Sequence, residues 1–297
     1  MPRLFCFGLG YTALALARRL MAEGWSVAGT TRAADKEARL AADGLQVHLF
    51  GRDRPLPDPA AALAGTTHVL TSIPSDEIGD PVLDCHLADL RGCATLRWAG
   101  YLGTTGVYGD RGGAWVSEEE AVAPTMARTR RRAAAEDHWL RSGLPVHIFR
   151  LAGIYGPGTG RNALDAVRAG AARRIVKAGQ MFGRVHVDDI VQVLCASIAR
   201  PTPGAVYNVA DDEPAPPQDV IAFACELLGV APPPEVPYDQ AELSPMARSF
   251  YADNRRIANA RIKRELGVRL RYPTYRDGLR AILDQEGQST GVASAIR

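Results

Sequence analysis

Glycine spacing near the start of the chain is the first feature with chemical consequences. Gly8-Leu9-Gly10-Tyr11-Thr12-Ala13 reads G-x-G-x-x-A. It follows the apolar run Leu4-Phe5-Cys6-Phe7 and opens a stretch where Ala13, Leu16, Ala17, Leu20 and Met21 recur at helical spacing. A strand, a tight turn and a helix in that order suit a dinucleotide pyrophosphate. Gly8 permits the turn, Gly10 lets the backbone approach the phosphates, and Ala13 is small enough for the helix to pack on the strand. Amides around Leu9, Tyr11 and Thr12 then face the anion. The second apolar run ends Gly29-Thr30-Thr31-Arg32, with no acid until Asp35. An acid there would hold a ribose 2′-hydroxyl, whereas Thr31 and the Arg32 fork suit a 2′-phosphate. The expected cofactor is therefore NADP rather than NAD.

These residues need a scaffold of alternating strands and helices. Strands are expected at 4–7, 26–30, 45–50, 68–73, 96–102 and 145–151, the fourth stopped by Pro74. Helices are expected at 12–23, 36–42, 82–90 and 129–141, the last with Ala133, Ala134 and Asp137 on one side. Such alternation implies βαβ units and an α/β fold with a doubly wound parallel sheet. After about residue 155 Pro and Gly increase, as in Gly156-Pro157-Gly158 and Pro214 to Pro217. The expected division is a nucleotide-binding domain at 1–155, joined again by about 175–200, a smaller substrate-binding domain at 156–285, and a flexible tail at 286–297.

Composition excludes several classes. Of 297 residues, 46% are hydrophobic and 23% charged, with a net charge of +2. That is ordinary globular usage and gives no ground for a nucleic-acid partner. No apolar run approaches the roughly 18 residues of a membrane span. Met1 to Leu20 has glycines in mid-run and Arg18-Arg19 at its end, the wrong order for a signal peptide. Five scattered cysteines without C-x-x-C suggest reduced thiols and a cytoplasmic setting. Six histidines form no H-E-x-x-H, so no metal is expected. No G-x-S-x-G elbow points to a serine hydrolase.

Further segments line up in order: Thr104-Thr105-Gly106-Val107-Tyr108-Gly109, Arg150 to Gly158, Arg184-Val185-His186-Val187-Asp188-Asp189, Tyr207-Asn208-Val209-Ala210, and Tyr272 to Gly278. From about residue 3 to 285 the chain resembles the extended short-chain dehydrogenase/reductase family, the NAD(P)-dependent epimerase/dehydratase group. The resemblance implies a Rossmann-type domain with a small C-terminal substrate domain and the cofactor across the strand ends. Ser72, Ile73 and Pro74 after the fourth strand, and Ala152 and Gly153 after the sixth, then join the cofactor contacts. It also implies a small-molecule substrate and a homodimer. Thr104 takes the place of the family's substrate-binding hydroxyl, with Thr105 beside it, and Arg255-Arg256 lies near its anion-holding segment.

One departure is chemical. The family's catalytic Tyr and Lys stand four residues apart at the next helix. Matching Ala133 to Glu136 to the small-residue stretch after that Lys puts Arg128 in the Tyr place and Arg132 in the Lys place. A guanidinium cannot exchange a proton near neutral pH. Arg132 can hold a ribose hydroxyl, and Arg128 an anion or oxyanion. Tyr108, Tyr101 and Tyr155 are the remaining phenols. The expected activity is that of an oxidoreductase or epimerase on a small carbonyl or nucleotide-sugar substrate. The alternative is a non-catalytic dinucleotide sensor or scaffold. Asp188 or Asp189 is expected to cap the helix from Ile190, and Arg132 to pair with Glu136.

Overall fold

In the computed structural model, residues 1–158, 160 and 162–294 are described. The chain enters as β1 (Arg3–Phe7) and turns through the glycines into α1 (Tyr11–Ala22). There follow β2 (Ser26–Thr31), α2 (Ala34–Ala42), β3 (Gln46–Leu49), α3 (Pro59–Leu63), β4 (His68–Thr71), α4 (Pro81–Gly92) and β5 (Trp98–Thr104). A 3-10 turn at Thr105–Tyr108 leads to the short β6 (Trp115–Val116), then α5 (Ala127–Leu140) and β7 (Val146–Leu151). The second half holds β8 (Gly153–Tyr155), α6 (Ala163–Arg168), β9 (Arg174–Val176), β10 (Arg184–His186), α7 (Val187–Ala199) and β11 (Val206–Val209). It closes with α8 (Pro217–Leu228), β12 (Glu235–Pro237), α9 (Pro245–Phe250), β13 (Arg256–Ile257), α10 (Ala260–Leu266) and α11 (Tyr275–Ser294).

Seven parallel strands form the main sheet, in the order β11-β7-β5-β4-β1-β2-β3. The expected α/β class and doubly wound sheet are what the chain adopts. Near-continuous apolar strands suit a sheet covered on both faces. Alternation along β1 divides the core: Leu4 and Cys6 join one layer, with α1 and α7. Phe5 and Phe7 join the other, with α3, α4 and α5. Trp98 and Trp139 are fully buried packing residues, and each indole N–H is satisfied, by Ser197 Oγ and Asp80 Oδ2 at 3.0 Å.

The sheet takes one strand from the second half that the sequence reading omits. β11 pairs with β7, from Val206↔Ile148 to Val209↔Leu151. The α7 helix packs against α1, and a separate small core gathers Tyr155, Leu164, Phe223, Tyr275 and Ile282. Helix α11 runs on to Ser294, into the stretch expected as tail.

Two local expectations are corrected. Neither aspartate caps α7: His186 is the N-cap, its Nδ1 accepting from Asp188 N at 3.2 Å. Asp189 instead accepts from the backbone N–H of Arg271 and Tyr272 at 2.6 and 3.0 Å, anchoring the approach to α11. Glu136 does not pair with Arg132. It turns inward with Thr129, Ala135 and Trp139, and meets Arg150 of β7. Ala134 and Asp137, expected with Ala133 on one side, are on the exposed side of that helix.

Candidate functional site

The strand order reverses between β1 and β4, and the loops there leave a crevice beyond the strand ends. Gly8 has φ +87°, which a β-carbon disfavours, and a Cβ there would lie 2.9 Å from Ser72 Oγ and Ile73 Cγ1. The turn is further held by Gly8 N to Thr30 Oγ1 (2.9 Å), Leu9 N to Thr30 O (2.8 Å) and Ser72 Oγ to Gly8 O (2.6 Å). Gly10 is the N-cap of α1, with no side-chain cap, and no acid lies in the first turn. These features fit a dinucleotide pyrophosphate at the start of α1. Tyr11 Oη reaches across to Pro157 O at 3.1 Å. Thr12 is buried against the strand. Thr31 ends β2 buried, and Arg32 is exposed next to it, its carbonyl accepting from Arg54 Nη2 at 2.8 Å.

Pro74, two residues beyond Ser72, opens a cavity of about 850 Å³. Its walls bring together Thr104, Arg128, Arg132, Ala152 and Gly153 from the sequence reading. Their convergence follows from register. Thr104 is opposite Leu151 at the ends of β5 and β7, and Ala152 follows at once. Thr104 Oγ1 accepts from Gly106 N at 3.1 Å and so starts the 3-10 turn. Arg128, Thr129 and Arg132 lie on the face of α5 turned toward it. The Arg132 guanidinium donates to Leu102 O and sits 4.9 Å from the Tyr101 ring.

Tyr108 is not brought to the cavity. It is fully buried, its Oη donating to Asn208 Oδ1 at 2.7 Å and accepting from Arg150 Nη1 at 2.8 Å. Burial raises the pKa of Tyr108, Tyr101 and Tyr155 alike. None is placed to work as a phenolate base near neutrality. Tyr155 does line the cavity, but its Oη points to Thr274 O at 3.5 Å.

The far wall adds residues that the sequence reading did not single out for a role to Arg255, which it did. Phe182 and Tyr251 meet edge to face at 5.3 Å, and Phe250 of α9 is exposed at the mouth. Asp253 accepts from Thr125 Oγ1 at 2.8 Å and from Arg255 Nη1 at 3.1 Å. Arg255 faces the cavity, while Arg256 is turned to Gly113 O. Arg184 carried a signal in its motif, but Phe182, Phe250, Tyr251 and Asp253 come from segments without one. Thr159 and Arg161 lie outside the described residues, as do residues 295–297 of the expected tail.

Behind Arg184 lies Asp211, whose carboxylate is buried and meets no side-chain donor at hydrogen-bond distance among the described residues. Burial pushes its pKa up to about 8 against the opposing pull of Arg184. The unfolded-state value is near 3.9. A raised folded value means that this group's contribution to stability is full below about pH 4 and is lost as the pH rises through 8. Asp211→Asn should therefore gain on the wild type as the pH is raised from 5 to 8.5. Urea midpoints at both pH values check this, and a gap independent of pH rules it out.

Among the described residues no group of three or more His, Cys, Asp or Glu gathers as a metal site. No helix among them is long and apolar enough to cross a membrane. The five cysteines are unpaired.

No family model matches the sequence. The chain is 31% identical over 170 residues to a 3-diazoavenalumate denitrifying reductase of a Streptomyces species, the alignment spanning 54% of this chain and 55% of that one. Protein YeeZ of Escherichia coli K12 is 26% identical over 92% of this chain and 97% of its own. A functionally unknown conserved protein of Silicibacter pomeroyi is 51% identical, with 96% and 99% of the chains covered and a TM-score of 0.89. The fold also matches dTDP-glucose 4,6-dehydratase of Bacillus anthracis, solved with NAD, at 15% identity, 97% coverage of both chains and TM-score 0.76. UDP-glucuronic acid 4-epimerase of Bacillus cereus, also solved with NAD, matches at 17% identity, 97% and 99% coverage, and TM-score 0.74. The chain thus belongs to one family with the Silicibacter pomeroyi protein, and its fold is that of the extended short-chain dehydrogenase/reductase, NAD-dependent epimerase/dehydratase group.

Proposed function

We propose that this protein is an NAD(P)-dependent oxidoreductase or epimerase-like enzyme of the extended short-chain type that works without the usual Tyr/Lys pair. The observation that carries the reading is that Ser72 holds the Gly8–Gly10 turn and Pro74, two residues on, lines the cavity with Thr104 and Arg128. The dinucleotide lies across the strand ends from Gly8, Leu9, Gly10, Tyr11 and Thr12, past Ser72, Ile73 and Pro74, to Ala152 and Gly153. Bound there, its nicotinamide would exchange a hydride with a substrate carbon. Thr104 donates to the substrate oxygen, Arg128 holds an anionic group of the substrate, and Arg132 holds a ribose hydroxyl. The first domain is 1–155 with about 175–200 and β11, and the remainder to 285 forms the substrate domain. The chain acts as a cytoplasmic homodimer on a small molecule. The absence of a Tyr/Lys pair favours a second reading, a non-catalytic dinucleotide sensor or scaffold.

The preferred cofactor is NADP, because Arg32 stands where a 2′-phosphate needs a fork of donors. The test is a thermal-shift titration with NADP⁺, NADPH, NAD⁺ and NADH. At 100 times Kd a ligand stabilises the fold by about 2.7 kcal/mol, several degrees. No shift with any of the four removes this reading. Arg32→Ala should weaken NADP⁺ by about tenfold, ~1.4 kcal/mol, and leave NAD⁺ unchanged. An equal loss for both would show that Arg32 does not read the phosphate. Turnover of a carbonyl substrate, once found, separates enzyme from sensor.

A further inference from the structure

Resting on the reading that the cavity receives the substrate, we propose that this substrate is an aromatic carboxylate, a planar ring system with one anionic head, and not a nucleotide sugar. Charge is the first ground. Four guanidiniums face the cavity, those of Arg128, Arg132, Arg184 and Arg255, against the single carboxylate of Asp253 among the described residues. That carboxylate is taken up by Arg255 and Thr125. Arg132 and Arg184 are directed to backbone carbonyls, Arg184 to Phe182 O and Ala215 O at 2.9 and 3.1 Å. Arg128 differs. Among the described residues it has no carboxylate partner, its Nη1 meeting only Met246 Sδ at 3.1 Å, and it is exposed. Burial holds the Arg255 guanidinium below its usual range, and the like charge of Arg128 acts in the same direction against the pull of Asp253 and Asp110. An anion between Arg128 and Arg255 relieves that repulsion.

The inventory of polar side chains is the second ground. The described wall contains no Asn, Gln, His or Glu. Two of its hydroxyls are turned to their own helices: Thr129 Oγ1 donates to Met126 O at 3.0 Å and Ser249 Oγ to Met246 O at 2.7 Å. A sugar ring with several hydroxyls would lose hydrogen bonds to water and regain few here, at about 1–3 kcal/mol for each group left unpaired. A planar ring loses none. Apolar faces await it: Phe250 is 51% exposed, and Phe182 and Tyr251 line the same cavity. Arg128 already lies 4.4 Å from the centre of the Phe250 ring, so one guanidinium joins the aromatic surface to the anion site.

The test uses the full chain and calorimetric titration, with and without saturating NADP⁺. The probes are trans-cinnamate, its neutral amide cinnamamide, and UDP-glucose. Cinnamate should bind at least tenfold more tightly than cinnamamide, and UDP-glucose should give no binding at the same concentrations. Arg128→Met should bring cinnamate down to the amide's level, and Phe250→Leu should weaken both aromatic probes severalfold. Equal binding of acid and amide overturns the proposal, as does UDP-glucose binding more tightly than cinnamate. The wild-type comparison of probes stands even if a variant fails to fold. Dinucleotide binding without cinnamate binding sinks this inference and leaves the functional reading intact. Acid-selective cinnamate binding without dinucleotide binding does the reverse.

Discussion

Glu136→Ala should lower the unfolding free energy by about 3–5 kcal/mol. Glu136 on α5 and Arg150 on β7 are 5% and 7% exposed, and Arg150 Nε donates to both carboxylate oxygens at 3.1 and 3.2 Å. Arg150 Nη1 then reaches Tyr108 Oη, which donates to Asn208 Oδ1 of β11. One buried chain of polar groups therefore ties α5, β7, β11 and the 3-10 turn after Thr104 together. Removing the carboxylate leaves a guanidinium buried and uncompensated, which is worse than having neither partner. The double variant Glu136→Leu, Arg150→Met should recover much of the loss. Urea unfolding of the three proteins measures this. A single variant as stable as the wild type would show that the pair is not what holds these elements in register.

Gly10→Val should leave the fold almost as stable as before and abolish the dinucleotide's thermal shift, a loss of about 2.7 kcal/mol at 100 times Kd. Gly10 has φ −80° and ψ −171°, extended backbone open to any residue. Among the described residues the only neighbour within 4 Å of a Cβ there is Ser72 Oγ at 3.6 Å, an ordinary contact. The side chain then stands in front of the α1 amides, where the proposed pyrophosphate would lie. Gly8 offers no such separation, because its positive φ and its contacts with Ser72 and Ile73 make any side chain harmful to the fold itself. A Gly10→Val protein that still responds to NADP⁺ would place the cofactor elsewhere.

The strands were legible because their apolar runs are short, dense and bounded by Gly or Pro, and the main sheet has the expected class. The Gly8–Ala13 turn was legible for the same local reason: backbone freedom is written into residue type. Omission of β11 has a physical cause. Val206 to Val209 lies in a Pro- and Gly-rich half, and four residues carry little periodicity of their own. Its place beside β7 is set by pairing, not by propensity. The α7 cap was misassigned because aspartate is the commoner cap, whereas His186 was already fixed there by Tyr155 and Tyr272 rings at 5.2 and 4.2 Å.

What the sequence determined by itself is therefore what short-range chemistry decides: strand and helix type, and the glycine turn between β1 and α1. Tertiary structure decided which polar groups meet. Glu136 had Arg132 one helical turn away and chose Arg150, because a carboxylate that is driven inward by packing needs a partner in the interior. Tyr108 belonged to a catalytic-looking segment and was absorbed into that same network. The cavity's aromatic wall and the hydrogen bond from Thr125 to Asp253 bring residues far apart in the chain to the side of Arg128. No spacing rule reaches across that distance, since such contacts exist only once the sheet has set the positions of its loops.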